Sequence, residues 1–227
     1  MPPTPHLRPT AAFAGRALLP GDPGRALALA QELLDEPKMF NHARGLWGYT
    51  GTAADGRPLT IQSTGLGGPS AAIVVEELCD LGLRAAVRVG TCGALDGAAA
   101  LGQLVCAREA LAHDGTSAAL GAGARVAADP ALTAALGARA DRTGTIVSTD
   151  LFYDPAAAAA RAGLRDRALA VDLQGAAVLA VAARRGVRAG CLLSLVRGPA
   201  GDDLDGEALD AAIRRLGRAG AEALAEA

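Results

Sequence analysis

Residues 82–94 read Gly-Leu-Arg-Ala-Ala-Val-Arg-Val-Gly-Thr-Cys-Gly-Ala, and this stretch decides the fold. Ala85 to Val89 is a short apolar run flanked by Gly82 and Gly90, which reads as a buried strand. Arg88 closes that strand. A guanidinium there requires an anionic partner, because an unpaired buried charge is costly. Immediately upstream, Ser70 to Leu81 reads as a helix, so the unit is helix followed by buried strand.

Working outward, the same alternation extends in both directions. Ala17 to Leu19 reads as a strand ending at the turn Pro20-Gly21-Asp22-Pro23. Asp22 is placed to cap a helix that opens at Pro23 and continues to about Leu34. Trp47–Thr52 and Leu59–Ser63 read as two strands around Asp55-Gly56. Thr64 to Ser70 is a Gly-rich loop. Downstream, Leu104–Ala110, Gly144–Ser148, Ala168–Val171 and Ala189–Val196 read as strands. Ala131–Ala138, Ala156–Gly163, Gln174–Arg185 and Glu207 to the C-terminus read as helices. Gly217 and Gly220 weaken the last of these, and residues 115–130 read as a loop. The pattern implies one α/β domain spanning 1–227, with a central, mixed but largely parallel sheet, partly barrel-like, flanked by helices.

Composition narrows the function classes. The 227 residues carry a net charge of −2, so no global basic field draws nucleic acid. Hydrophobic residues make up 51% and charged residues 20%, a globular balance. Lys38 is the only lysine, so the many arginines reflect a compositional bias, and each needs a local argument. Cys79, Cys92, Cys106 and Cys191 form no CxxC pair and no metal-like spacing with histidine. They read as free thiols of a cytoplasmic protein that needs no metal. No apolar run approaches a membrane span, and the N-terminus lacks the pattern of a signal peptide.

In folds of this class, ligands bind beyond the carboxyl ends of strands. Three such ends are rich in Gly: 20–23, 64–70 and 90–93. Arg25 follows the first and Arg88 precedes the third. Small residues let backbone N–H groups approach an anion, and Arg supplies a bidentate fork. The residues therefore suggest an oxyanion site, phosphate being one candidate, although Gly-rich turns are also ordinary loops. Neither common nucleotide-binding glycine fingerprint is present.

Six separated segments, in order, resemble the nucleoside phosphorylase family, the purine nucleoside and uridine phosphorylases. They are Pro20-Gly21-Asp22-Pro23-Gly24-Arg25; Tyr49-Thr50-Gly51-Thr52; Ser63 to Ser70 with Glu76-Glu77-Leu78; Arg88-Val89-Gly90-Thr91-Cys92-Gly93-Ala94; Asp114-Gly115-Thr116-Ser117; and Ser148 to Tyr153. The resemblance runs over roughly residues 4–198. It implies a pentosyl-transferring enzyme that converts a nucleoside and inorganic phosphate, reversibly, to free base and ribose 1-phosphate, without a cofactor. It implies phosphate binding by Gly21, Arg25, Arg88 and Thr91, with Arg44 donated by a neighbouring subunit. It also implies ribose contacts from Leu173, Gln174 and a neighbour's His6, and base contacts from Cys92, Gly93 and Phe152. The implied assembly is a homo-oligomer, a hexamer built as a trimer of dimers.

Two positions depart from the family pattern. The family's V-E-M-E segment reads Val171-Asp172-Leu173-Gln174 here, so a neutral amide stands where a Glu accepts the ribose hydroxyls. After the last strand, Gly198 falls where purine enzymes carry an Asp that protonates the base. Uridine phosphorylases use an Arg there, and Arg197 reads either as its equivalent or as a surface Arg on a turn. Asp202 and Asp203 are possible substitute acids. The uracil-reading Gln and Arg are absent from 154–160, which is mostly Ala. Three functions fit: an active phosphorylase, a weak or inactive homologue that binds a nucleoside or sugar phosphate, and a nucleosidase using water.

Overall fold

A computed structural model of the chain describes residues 4–95, 97, 99–153, 163–164, 166–199 and 201–226. Its elements are β1 (Arg16–Leu19), α1 (Pro23–Leu33), β2 (Leu34–Asn41), β3 (Gly48–Ala53), β4 (Pro58–Gln62), α2 (Gly67–Asp80), β5 (Ala85–Ala94), β6 (Leu104–His113), α3 (Gly115–Ala119), β7 (Arg125–Ala127), α4 (Pro130–Gly137), β8 (Arg142–Thr149), β9 (Ala170–Asp172), α5 (Gly175–Arg185), β10 (Arg188–Arg197) and α6 (Gly206–Glu226).

The strands form one mixed sheet in the order β10-β6-β8-β9-β5-β1-β4-β3-β2, with β7 on β6. Because β5 also pairs with β10, the strands β5, β10, β6, β8 and β9 close on themselves like a barrel. The remaining strands extend from β5 as an open wing. β1 runs parallel to both β4 and β5, and β10 runs parallel to β5. The carboxyl ends of these four strands therefore face one edge of the molecule.

Period-two alternation divides the core. Leu18, Ala85, Val87 and Val89 face one side and pack with Leu29 of α1 and Leu216 of α6. Ala17, Leu19 and Ala86 face the other side and pack with Val74 and Leu78 of α2 and Val178 of α5. Arg88 continues the second row.

The structure corrects several boundaries. Gly90 to Gly93 is not a loop after β5 but part of it, paired with Leu193 to Arg197 of β10. The 115–130 segment holds α3 and β7 rather than loop alone. α2 starts at Gly67, inside the expected Gly-rich loop. β2 had no sequence signal, because it carries Pro37 and three charged residues, Asp35, Glu36 and Lys38. It is an edge strand with a register shift between Asp35 and Lys38, where proline is tolerated. Most of the helix expected over Ala156–Gly163 lies outside the described residues. The two glycines that weaken the last helix lie on its buried face. A Cβ at Gly220 would come within 2.9 Å of Val89, and one at Gly217 within 2.3 Å of Leu29, so glycine lets α6 approach the sheet and α1 closely. Among the described residues, no helix is long and apolar enough to cross a membrane.

Candidate functional site

The ends of β1 and β4, the middle of β5 and the end of β9 meet at one point. Beyond β1, Asp22 caps α1 by accepting from the Arg25 N–H at 2.7 Å. This cap turns the Arg25 side chain toward β5, where its Nη1 lies 3.3 Å from Thr91 Oγ1. Arg88 reaches the same place from below. Its Nη1 is 3.3 Å from the Leu19 carbonyl, and a Cβ on Gly21 would lie 3.6 Å from that nitrogen. Arg88 folds back over its own strand, so a Cβ at Gly90 would stand only 2.5–2.8 Å from the guanidinium atoms. Gly90 is thus required by the path of Arg88.

Arg88 is buried, with 5% exposure, and its Nε has no hydrogen-bond partner among the described residues. Its anionic neighbour is Asp172, at 3.8 Å from Nη2. That carboxylate is already shared. It accepts from Ser148 Oγ at 2.6 Å, from the Gln174 N–H at 3.1 Å and from the Gly175 N–H at 2.9 Å, capping α5. Burial draws the Arg25 guanidinium below its usual range; Asp22 opposes that shift, and the nearby Arg88 charge adds to it. The result is two crowded guanidinium groups with unused donors, which is the electrostatic setting for an anion.

Gln174 is also buried and its amide is fully oriented. Oε1 accepts from Thr64 Oγ1 at 2.9 Å, and Nε2 donates to the Gly65 carbonyl at 2.7 Å and the Gly67 carbonyl at 3.2 Å. The side chain ties the start of α5 to the turn before α2. Leu173 beside it is half-buried.

Phe152 and Arg197 form a second group, with the guanidinium 5.1 Å from the ring centroid. Phe152 is half exposed and packs edge-on against Tyr153 at 4.9 Å. Arg197 is held by Asp203 through two hydrogen bonds of 2.7 and 2.8 Å. Gly93 links the two groups along β5, since a Cβ there would meet Arg197 Cβ at 4.0 Å. The Cys92 side chain turns inward instead, packs in the core and contacts the Ser194 carbonyl at 3.4 Å. Burial raises all four thiols above their usual range, Cys79 and Cys106 to about 11, which leaves them protonated and poorly nucleophilic.

Two expected residues stand apart. His6 is bound to Glu77 of its own chain, Nδ1 to Oε1 at 2.6 Å, about 15 Å along α2 from the Gly67 end. Arg44 is exposed in a left-handed conformation, φ 59°, and makes no hydrogen bond or ion pair among the described residues. Neither reaches the Arg88 group within one chain. Conversely, Asp172 and Thr64 belong to the site but were not singled out from sequence. For Asp172 a signal existed, since buried Arg88 demanded an anion.

The model of the phosphorylase superfamily matches residues 16–227. A guanosine phosphorylase of Halorubrum lacusprofundi is 37% identical over 186 residues, covering 79% of this chain and 76% of that protein. A DeoD-type purine nucleoside phosphorylase of Oceanobacillus iheyensis is 33% identical over 193 residues, covering 81% and 82%. The crystal structure of uridine phosphorylase from Vibrio fischeri superposes with a TM-score of 0.86 at 25% identity, over 95% of this chain and 93% of that one.

Proposed function

The chain belongs to the phosphorylase superfamily, and on that premise we propose that it cleaves a purine nucleoside with inorganic phosphate, releasing free base and ribose or deoxyribose 1-phosphate. The observation that carries this reading is Arg88: a buried guanidinium beside Arg25, with a donor left over after its contacts to Leu19 and Asp172. In the proposed reaction, phosphate sits on Arg25, Arg88, Thr91 and the Gly21 N–H, with Arg44 donated by a second copy. Its charge stabilises the cationic sugar as the C1′–N bond stretches, while an oxygen attacks C1′. Purine is favoured as the base because the relatives named above at 37% and 33% identity are guanosine and purine nucleoside phosphorylases, whereas the uridine phosphorylase is only 25% identical. Phe152 and Gly93 would flank that base, with Arg197 beside the ring, while Cys92, whose side chain faces the core, would offer only its backbone. Ribose would meet Leu173, Gln174 and a neighbour's His6.

Gln174 sets the sugar preference. Both amide hydrogens point to protein carbonyls and Oε1 already accepts from Thr64, so the side chain has one acceptor position left for a sugar hydroxyl. A carboxylate would serve two. This favours a sugar that lacks or masks one hydroxyl. The same saturation is what favours the rival reading, binding without turnover. Hydrolysis by water is disfavoured, because it gives the Arg25–Arg88 pair no role.

The test is a panel of purine and pyrimidine ribo- and deoxyribonucleosides, each incubated with and without phosphate, with free base quantified. Phosphate-dependent release from a purine nucleoside, faster for the deoxy sugar, is the expected result. Phosphate-independent release would overturn the reading in favour of a hydrolase. Phosphate binding without release from any member would overturn it in favour of a binding protein.

A further inference from the structure

Resting on the phosphorolysis reading above, in which a neighbour's His6 meets the ribose, we infer that Glu77 is a positioning residue for the sugar site of a second copy of the chain. It acts through His6, and it is a buried charge to which that reading gives no role.

The observation is where Glu77 finds its donors. The residue lies on α2 and is 7% exposed. A carboxylate withdrawn from water is costly unless donors surround it. Among the described residues, all of its donors come from His6 and Leu7. The His6 N–H lies 3.1 Å from both carboxylate oxygens, and the Leu7 N–H donates to Oε2 at 2.6 Å. The His6 ring donates from Nδ1 to Oε1 at 2.6 Å.

Anchoring the segment does not require this charge. Leu7 is fully buried and packs in one cluster with Phe40 and Leu78. The Arg8 N–H donates to Asn41 Oδ1 at 2.9 Å, and the Thr10 N–H to the Phe40 carbonyl at 2.8 Å. What Glu77 adds is control of the imidazole. A carboxylate only accepts, so the ring proton sits on Nδ1 and faces it. Nε2 is then the acceptor of the uncharged ring, turned away from Glu77. The His6 side chain is 33% exposed, and its Nε2 has no partner among the described residues. This is an acceptor held in one orientation for a hydroxyl. His6 cannot deliver it within its own chain, because Glu77 stands about 15 Å along α2 from Gly67, whose carbonyl holds Gln174.

The same frame carries Arg44. Asn41 is fully buried; beyond its bond to Arg8, it donates to the Leu46 carbonyl at 2.5 Å and the Ala43 carbonyl at 3.4 Å. The loop that bears Arg44 and the segment that bears His6 therefore share one polar hub. The two residues that the single-chain site lacks are held as a unit.

The experiment uses Glu77→Gln. The amide oxygen can still accept from the backbone N–H groups, but its NH2 meets the ring and reverses the tautomer, so that Nε2 becomes a donor. With deoxyguanosine and phosphate, kcat/KM is expected to fall about tenfold, the worth of one hydrogen bond, with little change in melting temperature. His6→Ala should cost as much, and the double variant no more than His6→Ala alone. The decisive readout is in trans. Glu77→Gln is co-expressed with Arg88→Ala, each with its own tag, and the mixed assembly is purified through both tags. Some sites then combine an intact Arg88 with an intact Glu77–His6 pair from the other chain. Activity per Glu77→Gln chain is expected to recover most of the loss. A Glu77 that only supports its own chain would give no recovery, which would overturn the inference, as would additive losses in the double variant. A second measurement needs no Glu77 variant. Long-range proton–nitrogen NMR of the histidine-labelled wild type, assigned with His6→Ala, should find the His6 proton on Nδ1; a proton on Nε2 alone would overturn the inference. A wild type that turns over as a monomer would overturn it while leaving phosphorolysis intact. A wild type without phosphate-dependent release would overturn both.

Discussion

On the proposed reading, Gln174 puts an amide where a carboxylate would read the sugar. Its Nε2 faces the carbonyls of Gly65 and Gly67. In Gln174→Glu, an acceptor would face those two acceptors. The variant should lose about 1–3 kcal/mol of stability in urea unfolding at neutral pH, the cost of unpaired buried groups. Once folded, its carboxylate can accept from two sugar hydroxyls, so the ratio of kcat/KM for ribo- over deoxyribonucleoside should rise about tenfold. Unchanged stability would show that the amide does not lock the turn. The neutral amide in place of the family's Glu was readable from sequence, but its partners were not, because they lie 107 to 110 residues away. Arg88 was readable, since its burial follows from the apolar run around it. Arg25 was legible through the local Asp22 cap, but its approach to Thr91, 66 residues away, was not.

At the scale of elements, β5 carries the site because it tolerates glycine in mid-strand. Gly90 leaves room for Arg88 to fold over the strand. Gly90→Ala should push the guanidinium aside and lower phosphate affinity at least tenfold, about the worth of one hydrogen bond to a charged group, with the fold retained. Isothermal titration with phosphate measures this, and an unchanged affinity would contradict the role given to Arg88. The same glycines misled the sequence reading, which ended the strand at Val89. β2 was missed for the opposite reason: its proline and charges are possible only at a solvated sheet edge, and edge position is a property of topology. Ion pairs tie elements together elsewhere. Arg215 of α6 donates to Asp141 at 2.8 and 2.9 Å and holds that carboxyl below its usual range. A depressed carboxyl stabilises the fold above its unfolded value, about 3.9. That contribution is lost as pH falls through the lower folded value. Asp141→Asn should therefore narrow the difference in urea midpoint between pH 7 and pH 3. An undiminished difference would remove this pair from the account.

At the scale of the whole molecule, the single chain brings together Arg25, Arg88, Thr91 and Gln174 but leaves Arg44 and His6 outside. Arg44 stands exposed three residues before Trp47, itself an exposed apolar side chain. On the proposed reading it completes the phosphate site of a second copy. Arg44→Ala and Arg88→Ala should each be inactive alone. Mixed and reassembled, they should regain a fraction of activity, because some sites would combine an intact Arg88 with an intact Arg44. A monodisperse monomer by light scattering, or no regained activity, would remove Arg44 and His6 from the site. The central claim, that the Arg25–Arg88 group presents phosphate as the nucleophile, has a more direct test. Phosphorus NMR would follow the protein with inorganic phosphate and deoxyguanosine. The account predicts a sugar-phosphate ester resonance that grows at the rate of guanine release, and that is absent for Arg88→Ala. Guanine released without the ester, or no turnover at all, would contradict it.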